Sequence, residues 1–122
     1  AGTPALAEIY ALGELCQKWD WEGVYQRTKE LSLYLAEVMK SLVHIRNYAV
    51  PQSNLVAFSC PGINDFDLQD QLAKAGFALR GGQHCAQPLF NFWQIPSLLR
   101  LSLGVYNTEE EIDQWRNFFL QK

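Results

Sequence analysis

The apolar period of this chain first changes near Leu42, from about 3.6 residues to 2, and that change opens a mixed helix-and-strand class of fold to it. Upstream, Leu6, Ile9, Leu12, Leu15, Cys16 and Trp19 recur at helical spacing. Thr3-Pro4 precedes them as an N-cap followed by proline in the first turn. Asp20 is placed to cap a second helix. Its apolar stripe is Val24, Thr28, Leu31, Leu35, Val38 and Leu42, with Lys29, Glu37 and Lys40 opposite, so one side of a long helix is expected to be buried.

Downstream, Val43-His44-Ile45-Arg46 alternates as a strand with one face in water, and His44 falls on that face. Pro51-Gln52-Ser53-Asn54 predicts a turn. Leu55 to Cys60 is apolar on both faces and predicts an interior strand ended by Pro61-Gly62. Asn64 or Asp65 caps a short helix carrying Phe66, Leu68 and Leu72, with Gly76 at its C-terminal cap. Phe77 to Leu79 predicts a short strand leading into a loop. Leu99, Leu101, Leu103 and Val105 form one face of a last strand, opposite Arg100, Ser102, Gly104 and Tyr106. Thr108 to Glu111 is a capping box for a final helix with Ile112, Trp115 and Phe119 turned inward. The order α-α-β-β-α-β-loop-β-α is that of an α+β fold with helices on a mixed or antiparallel sheet.

With 122 residues, 48% of them hydrophobic, the chain has enough apolar surface for a packed core. A net charge of -3 favours neither nucleic acid nor an anionic membrane surface. No apolar run is long enough to span a bilayer, and no signal-peptide pattern opens the chain. Cys16, Cys60 and Cys85 are too few and too scattered for a disulfide framework, which points to a reducing compartment, the cytoplasm. His44 and His84 stand far apart and no metal-ligand spacing occurs. The start at Ala1, without Met, is expected of a piece of something larger.

The segment Arg80-Gly81-Gly82-Gln83-His84-Cys85-Ala86-Gln87-Pro88-Leu89 reads as a loop, and it carries Cys85 away from any apolar stripe. Arg80 and His84 are near enough in sequence to favour a thiolate there; an ordinary loop cysteine is the alternative. Cys16 and Cys60 fit core patterns. Arg100 interrupts an apolar strand on a face of small residues, where a guanidinium suits a carboxylate, or lies on a plain sheet surface. Phe90, Phe92 and Trp93 read as core or interface packing.

The string Leu79 to Leu89, then Arg100-Leu101-Ser102, then Tyr106-Asn107-Thr108-Glu109-Glu110, resembles the C-terminal part of the cysteine desulfurase and selenocysteine lyase family of the class V aminotransferase group. Ala1-Gly2-Thr3-Pro4 resembles that family's AGTPN segment, with Ala5 in place of asparagine. The resemblance covers the whole chain. The short RxGxHC form resembles the second group of these enzymes, which hand sulfur to a separate acceptor protein. It implies the small C-terminal domain of a pyridoxal-phosphate (PLP)-dependent transferase of the aspartate aminotransferase-like fold type I. On that reading residues 1–20 link from the PLP-binding domain and residues 21–122 form the small domain.

The resemblance also implies roles. Cys85 is the persulfide-forming nucleophile on L-cysteine, and alanine is released. Arg100 binds the substrate carboxylate, and Arg80 and His84 line its pocket. Thr3 reaches the cofactor phosphate of the neighbouring subunit in a homodimer. A sulfur-acceptor protein and iron-sulfur cluster assembly follow as expectations. The family's Schiff-base lysine follows a histidine, and none of Lys18, Lys29, Lys40, Lys74 and Lys122 does. PLP is therefore expected on the N-terminal domain of the family, and this chain alone is expected to be inactive. Two other readings stay open: a stand-alone persulfide carrier, and a related lyase acting on selenocysteine or cysteine sulfinate.

Overall fold

The computed structural model describes Gly2, residues 4–48 and residues 53–121. Five helices and four strands follow in the order α1 (Leu6–Lys18), α2 (Trp21–Ser41), β1 (Arg46–Asn47), β2 (Leu55–Ser59), α3 (Asp65–Lys74), β3 (Arg80–Gly82), α4 (Gln87–Trp93), β4 (Leu98–Ser102) and α5 (Glu109–Leu120). The strands form one sheet in the order β1-β2-β4-β3, and every pairing is antiparallel.

The core lies on one face of this sheet. Val56 and Phe58 of β2 and Leu99 of β4 meet Leu31, Leu35, Val38 and Met39 of α2, Leu68 and Leu72 of α3, and Ile112, Trp115 and Phe119 of α5. Phe58 stands edge-on to Trp115 at 5.5 Å and to Phe119 at 6.3 Å, the arrangement aromatic quadrupoles favour. Leu31, Leu35, Leu68, Leu72 and Leu99 are fully buried, each stabilising the fold by about 1.5–3 kcal/mol relative to exposure.

Local chemistry sets most helix ends. Asp20 accepts from the Gly23 amide at 2.9 Å, and Asn64 accepts from the Phe66 amide at 2.9 Å. Gly76 takes φ 93° just past α3, a conformation a side chain resists. Thr108 and Glu111 make both halves of the capping box on α5. Thr108→Ala is expected to lower unfolding free energy by about 1 kcal/mol, read as a lower urea midpoint at unchanged slope.

Several expectations are corrected. α1 begins at Leu6 with Ala5 at its N-cap and no side-chain cap; Thr3 and Pro51-Gln52 of the expected turn lie outside the described residues. The apolar stripe of α1 is present, but no residue of the helix is buried, and Cys16 is exposed rather than in the core. Val43 and His44 form a turn after α2, closed by the Ile45 amide on the Leu42 carbonyl, so only Arg46–Asn47 pair as strand. β2 is interior by pairing yet buried on one face only: Leu55 is exposed and Ala57 half-buried. Phe66 is exposed. Phe77–Leu79 are not strand, and pairing starts at Arg80. The last strand stops at Ser102, because Asn107 Oδ1 accepts the Gly104 amide at 2.7 Å and the chain turns.

Candidate functional site

The face of the sheet away from the core carries the polar residues. Antiparallel register sets Ala57 opposite Arg100 and Arg100 opposite Arg80, and the Tyr48 amide continues the ladder onto the Ala57 carbonyl at 2.8 Å. Residues directly opposite share a face, so Arg80 and Arg100 stand side by side. Like charges in that position repel, yet among the described residues neither guanidinium has a carboxylate partner. The two chain positions, twenty residues apart in sequence, make one concentrated patch of positive charge.

β3 is tied to α3 at its centre. The Gly81 amide donates to Gln69 Oε1 at 2.8 Å, and a Cβ at Gly81 would collide with that same oxygen. Glycine is needed there for the helix side chain to reach the strand. The chain then reverses in the tight turn Gln83–Ala86, closed by the Ala86 amide on the Gln83 carbonyl at 2.9 Å. Its two central residues, His84 (φ 51°) and Cys85 (φ 56°), are both left-handed. Side chains resist that region, at a cost on the order of 1–3 kcal/mol per residue. Cys85 at the tip is exposed, whereas Cys60 is buried on the core side.

What reads as loop in sequence is strand, turn and helix in space. α4 opens with Ala86 at its N-cap and proline in its first turn, where a missing amide proton costs nothing, and ends with Gln94 left-handed. Its Phe90 is buried and Phe92 exposed. Trp93 stacks on Tyr48 at 5.0 Å, which ties the helix to the β1 edge. The return into β4 is held by Ser97, whose hydroxyl donates to the buried carboxylate of Asp65 at 2.6 Å, and by Gln83 Nε2 on the Pro96 carbonyl at 3.1 Å. Gln83, Gln69 and Asp65 were invisible as site residues in the sequence; the proline one turn ahead of Phe90 and Trp93 was the available signal for α4.

His84 packs against Phe90 at 6.4 Å. Burial pushes its ring below the ordinary value of 6.5; a hydrogen bond to the Leu98 backbone opposes this, and Arg100 and Arg80 add to the lowering. The ring is therefore neutral at neutral pH and senses both arginines. Arg80, His84 and Arg100 thus come together next to the Cys85 turn. A groove of about 450 Å³ bounded by Phe77, Leu101, Tyr106 and Trp115 lies at the other end of β3 and contains none of them. Among the described residues no group of three or more His, Cys, Asp or Glu side chains could hold a metal, and no helix is long and apolar enough to cross a membrane.

A one-faced antiparallel sheet with three helices behind it is a small α+β fold shared with solved cysteine desulfurases. The Escherichia coli cysteine desulfurase CsdA, solved in an S-sulfonic acid form, superposes with a TM-score of 0.85 at 30% identity over 99% of this chain and 32% of its own. A probable cysteine desulfurase of Staphylococcus aureus (strain Mu50 / ATCC 700699) is 31% identical over 127 residues, covering 99% of this chain and 31% of the relative. One from Staphylococcus epidermidis (strain ATCC 12228 / FDA PCI 1200) is 32% identical over 120 residues, 93% of this chain and 29% of the relative. The aminotransferase class-V family model matches residues 1–115, and the chain belongs to that family. It spans about a third of the length of the curated relatives it matches.

The family implies PLP, and the residues here fit only part of such a site. Arg80 and Arg100 suit a substrate carboxylate. The described lysines are elsewhere: Lys18, Lys40 and Lys74 pair with acids on their own helices, and Lys29 lies over Tyr25. Lys122 lies outside the described residues. Among the described residues no amine stands by the arginine pair to hold an aldehyde.

Proposed function

We propose that the chain is the sulfur-accepting part of a PLP-dependent cysteine desulfurase, in which Cys85 takes sulfur from L-cysteine and delivers it to an acceptor protein. The observation that carries this reading is the arginine pair, without a carboxylate partner among the described residues, next to a thiol held out on a two-residue turn. Arg100 takes the substrate carboxylate through two parallel hydrogen bonds, and Arg80 across the ladder keeps the patch positive. Cys85 attacks the substrate sulfur as a thiolate. A sulfur–sulfur bond forms, the carbon–sulfur bond breaks, and its electron pair stays on carbon, which takes a proton to give alanine. PLP, when bound, supplies the electron sink for that carbon. His84, neutral, lines the pocket without adding a third positive charge.

The cofactor anchor belongs, in this proposal, to residues beyond this chain. Residues 1–20 are the link to that domain and residues 21–122 the small domain. The support for this division is that α1 buries none of its residues against the others. Thr3 is proposed to reach the cofactor phosphate of the neighbouring subunit in a homodimer. The test is mass spectrometry of the complete protein, loaded with PLP and exposed briefly to cysteine. One added sulfur is expected on the Cys85 peptide, with alanine formed in equal amount; sulfur on the exposed Cys16, on Cys60, or on no cysteine would reject the assignment.

A further inference from the structure

We propose that His84 is a positioning residue for Cys85: its anchored ring holds the Gln83–Ala86 turn in the left-handed form that displays the thiol. This rests on the reading of Cys85 as the sulfur acceptor. Two consecutive left-handed residues in a two-residue turn are ordinarily Asn-Gly or Gly-Gly, because a Cβ opposes them. Here both positions carry side chains, at φ 51° and 56°, so something outside the turn must hold it.

Two ties hold the turn from outside. The His84 ring packs on Phe90 of α4, which is itself buried. Its Nε2 is buried with no hydrogen-bond partner among the described residues. Gln83 adds a second tie at the Pro96 carbonyl, 3.1 Å away. The Gln83 tie ends on Pro96, two residues before Leu98 opens the strand that carries Arg100. The thiol is thereby referenced to the residue that grips the substrate. Misplacing a reacting atom by about 1 Å can cost about a hundredfold in rate, so a shared frame matters even when no tether touches substrate.

The experiment uses His84→Ala and His84→Gly in the complete protein. Both remove the ring; the glycine variant also removes the Cβ that opposes the turn, so it folds even where the alanine variant does not. The Ala86 amide, which closes the turn, is expected to lose protection from hydrogen exchange in the alanine variant and to keep more of it in the glycine variant, where no Cβ opposes the left-handed residue. The kcat for sulfur uptake on Cys85 is expected to fall between about ten- and a hundredfold, with KM for cysteine little changed because Arg100 is intact. The pH midpoint for iodoacetamide alkylation of Cys85 is expected to stay put. Ala86 remaining fully protected in the alanine variant, or kcat remaining unchanged, overturns the proposal. So does a clear shift of the alkylation midpoint, which would make His84 a source of thiolate charge. Sulfur absent from Cys85 in the unaltered protein overturns this inference together with the functional reading, whereas full Ala86 protection in the alanine variant overturns this inference alone.

Discussion

Cys85→Ala in the complete protein is expected to bring sulfur transfer down to background while cysteine still binds. In the proposed function, the grip on substrate and the attack on its sulfur use different groups. Arg100 projects from β4, held in register against Ala57 and Arg80, and none of those contacts involves residue 85. Removing the sulfur atom therefore removes the nucleophile and leaves the carboxylate site as it was. Alanine keeps the Cβ, so the turn carries the same conformational load as with cysteine. Cys85→Ser, which keeps the size as well, should fail equally, because a hydroxyl of ordinary acidity does not supply the thiolate. Cysteine binding followed by the change in cofactor absorbance, alongside sulfur delivered to a small-thiol acceptor, separates the two steps. Sulfur transfer persisting in either variant would move the nucleophile to another residue.

Arg100→Lys is expected to lower kcat/KM for cysteine by about ten- to hundredfold, corresponding to about 1.5–3 kcal/mol of charge-assisted hydrogen bonding. The substitution keeps a positive charge and loses the planar fork that meets both carboxylate oxygens at once. It also leaves Arg80 facing an ammonium, so the patch stays cationic and only its shape is altered. Arg116→Lys is the control. Arg116 pairs with Asp113 at 3.2 Å on α5, remote in sequence from the turn, and the same exchange there should leave kcat/KM unchanged. Equal effects at both positions would assign Arg100 a structural role.

The parts legible in sequence are those decided by local chemistry. The stripe from Val24 to Leu42 and the caps at Asp20, Asn64 and Thr108 read correctly because each depends on residues within a turn or two. The parts that failed depend on neighbours far along the chain. Cys16 lies on an apolar stripe, but a stripe does not say what covers it, and here no other element among the described residues does. The strand expected at Phe77 starts only at Arg80, where Gln69 from α3 takes the Gly81 amide. Helix α4 was hidden by its brevity and by Pro88, which reads as a breaker although its place is the first turn. Arg80, His84, Cys85 and Arg100 could each be singled out from sequence. That two of them face each other across a ladder is a matter of register, which sequence spacing does not contain.

The link between β3 and β4 has a consequence of its own. Antiparallel neighbours can be joined by two residues, yet here the connection holds a tight turn, a helix and a left-handed exit spanning residues 83–97. The sheet register that aligns the arginines is set on one side of this insert, and the reach of the thiol is set within it. Residues can thus be added to or removed from the insert without shifting the ladder. On the function proposed above, the ladder sets the grip on the carboxylate and the insert sets the reach of the thiol, so a change in the recipient can be met within residues 83–97 while the Gln83–Pro96 tie stays in place.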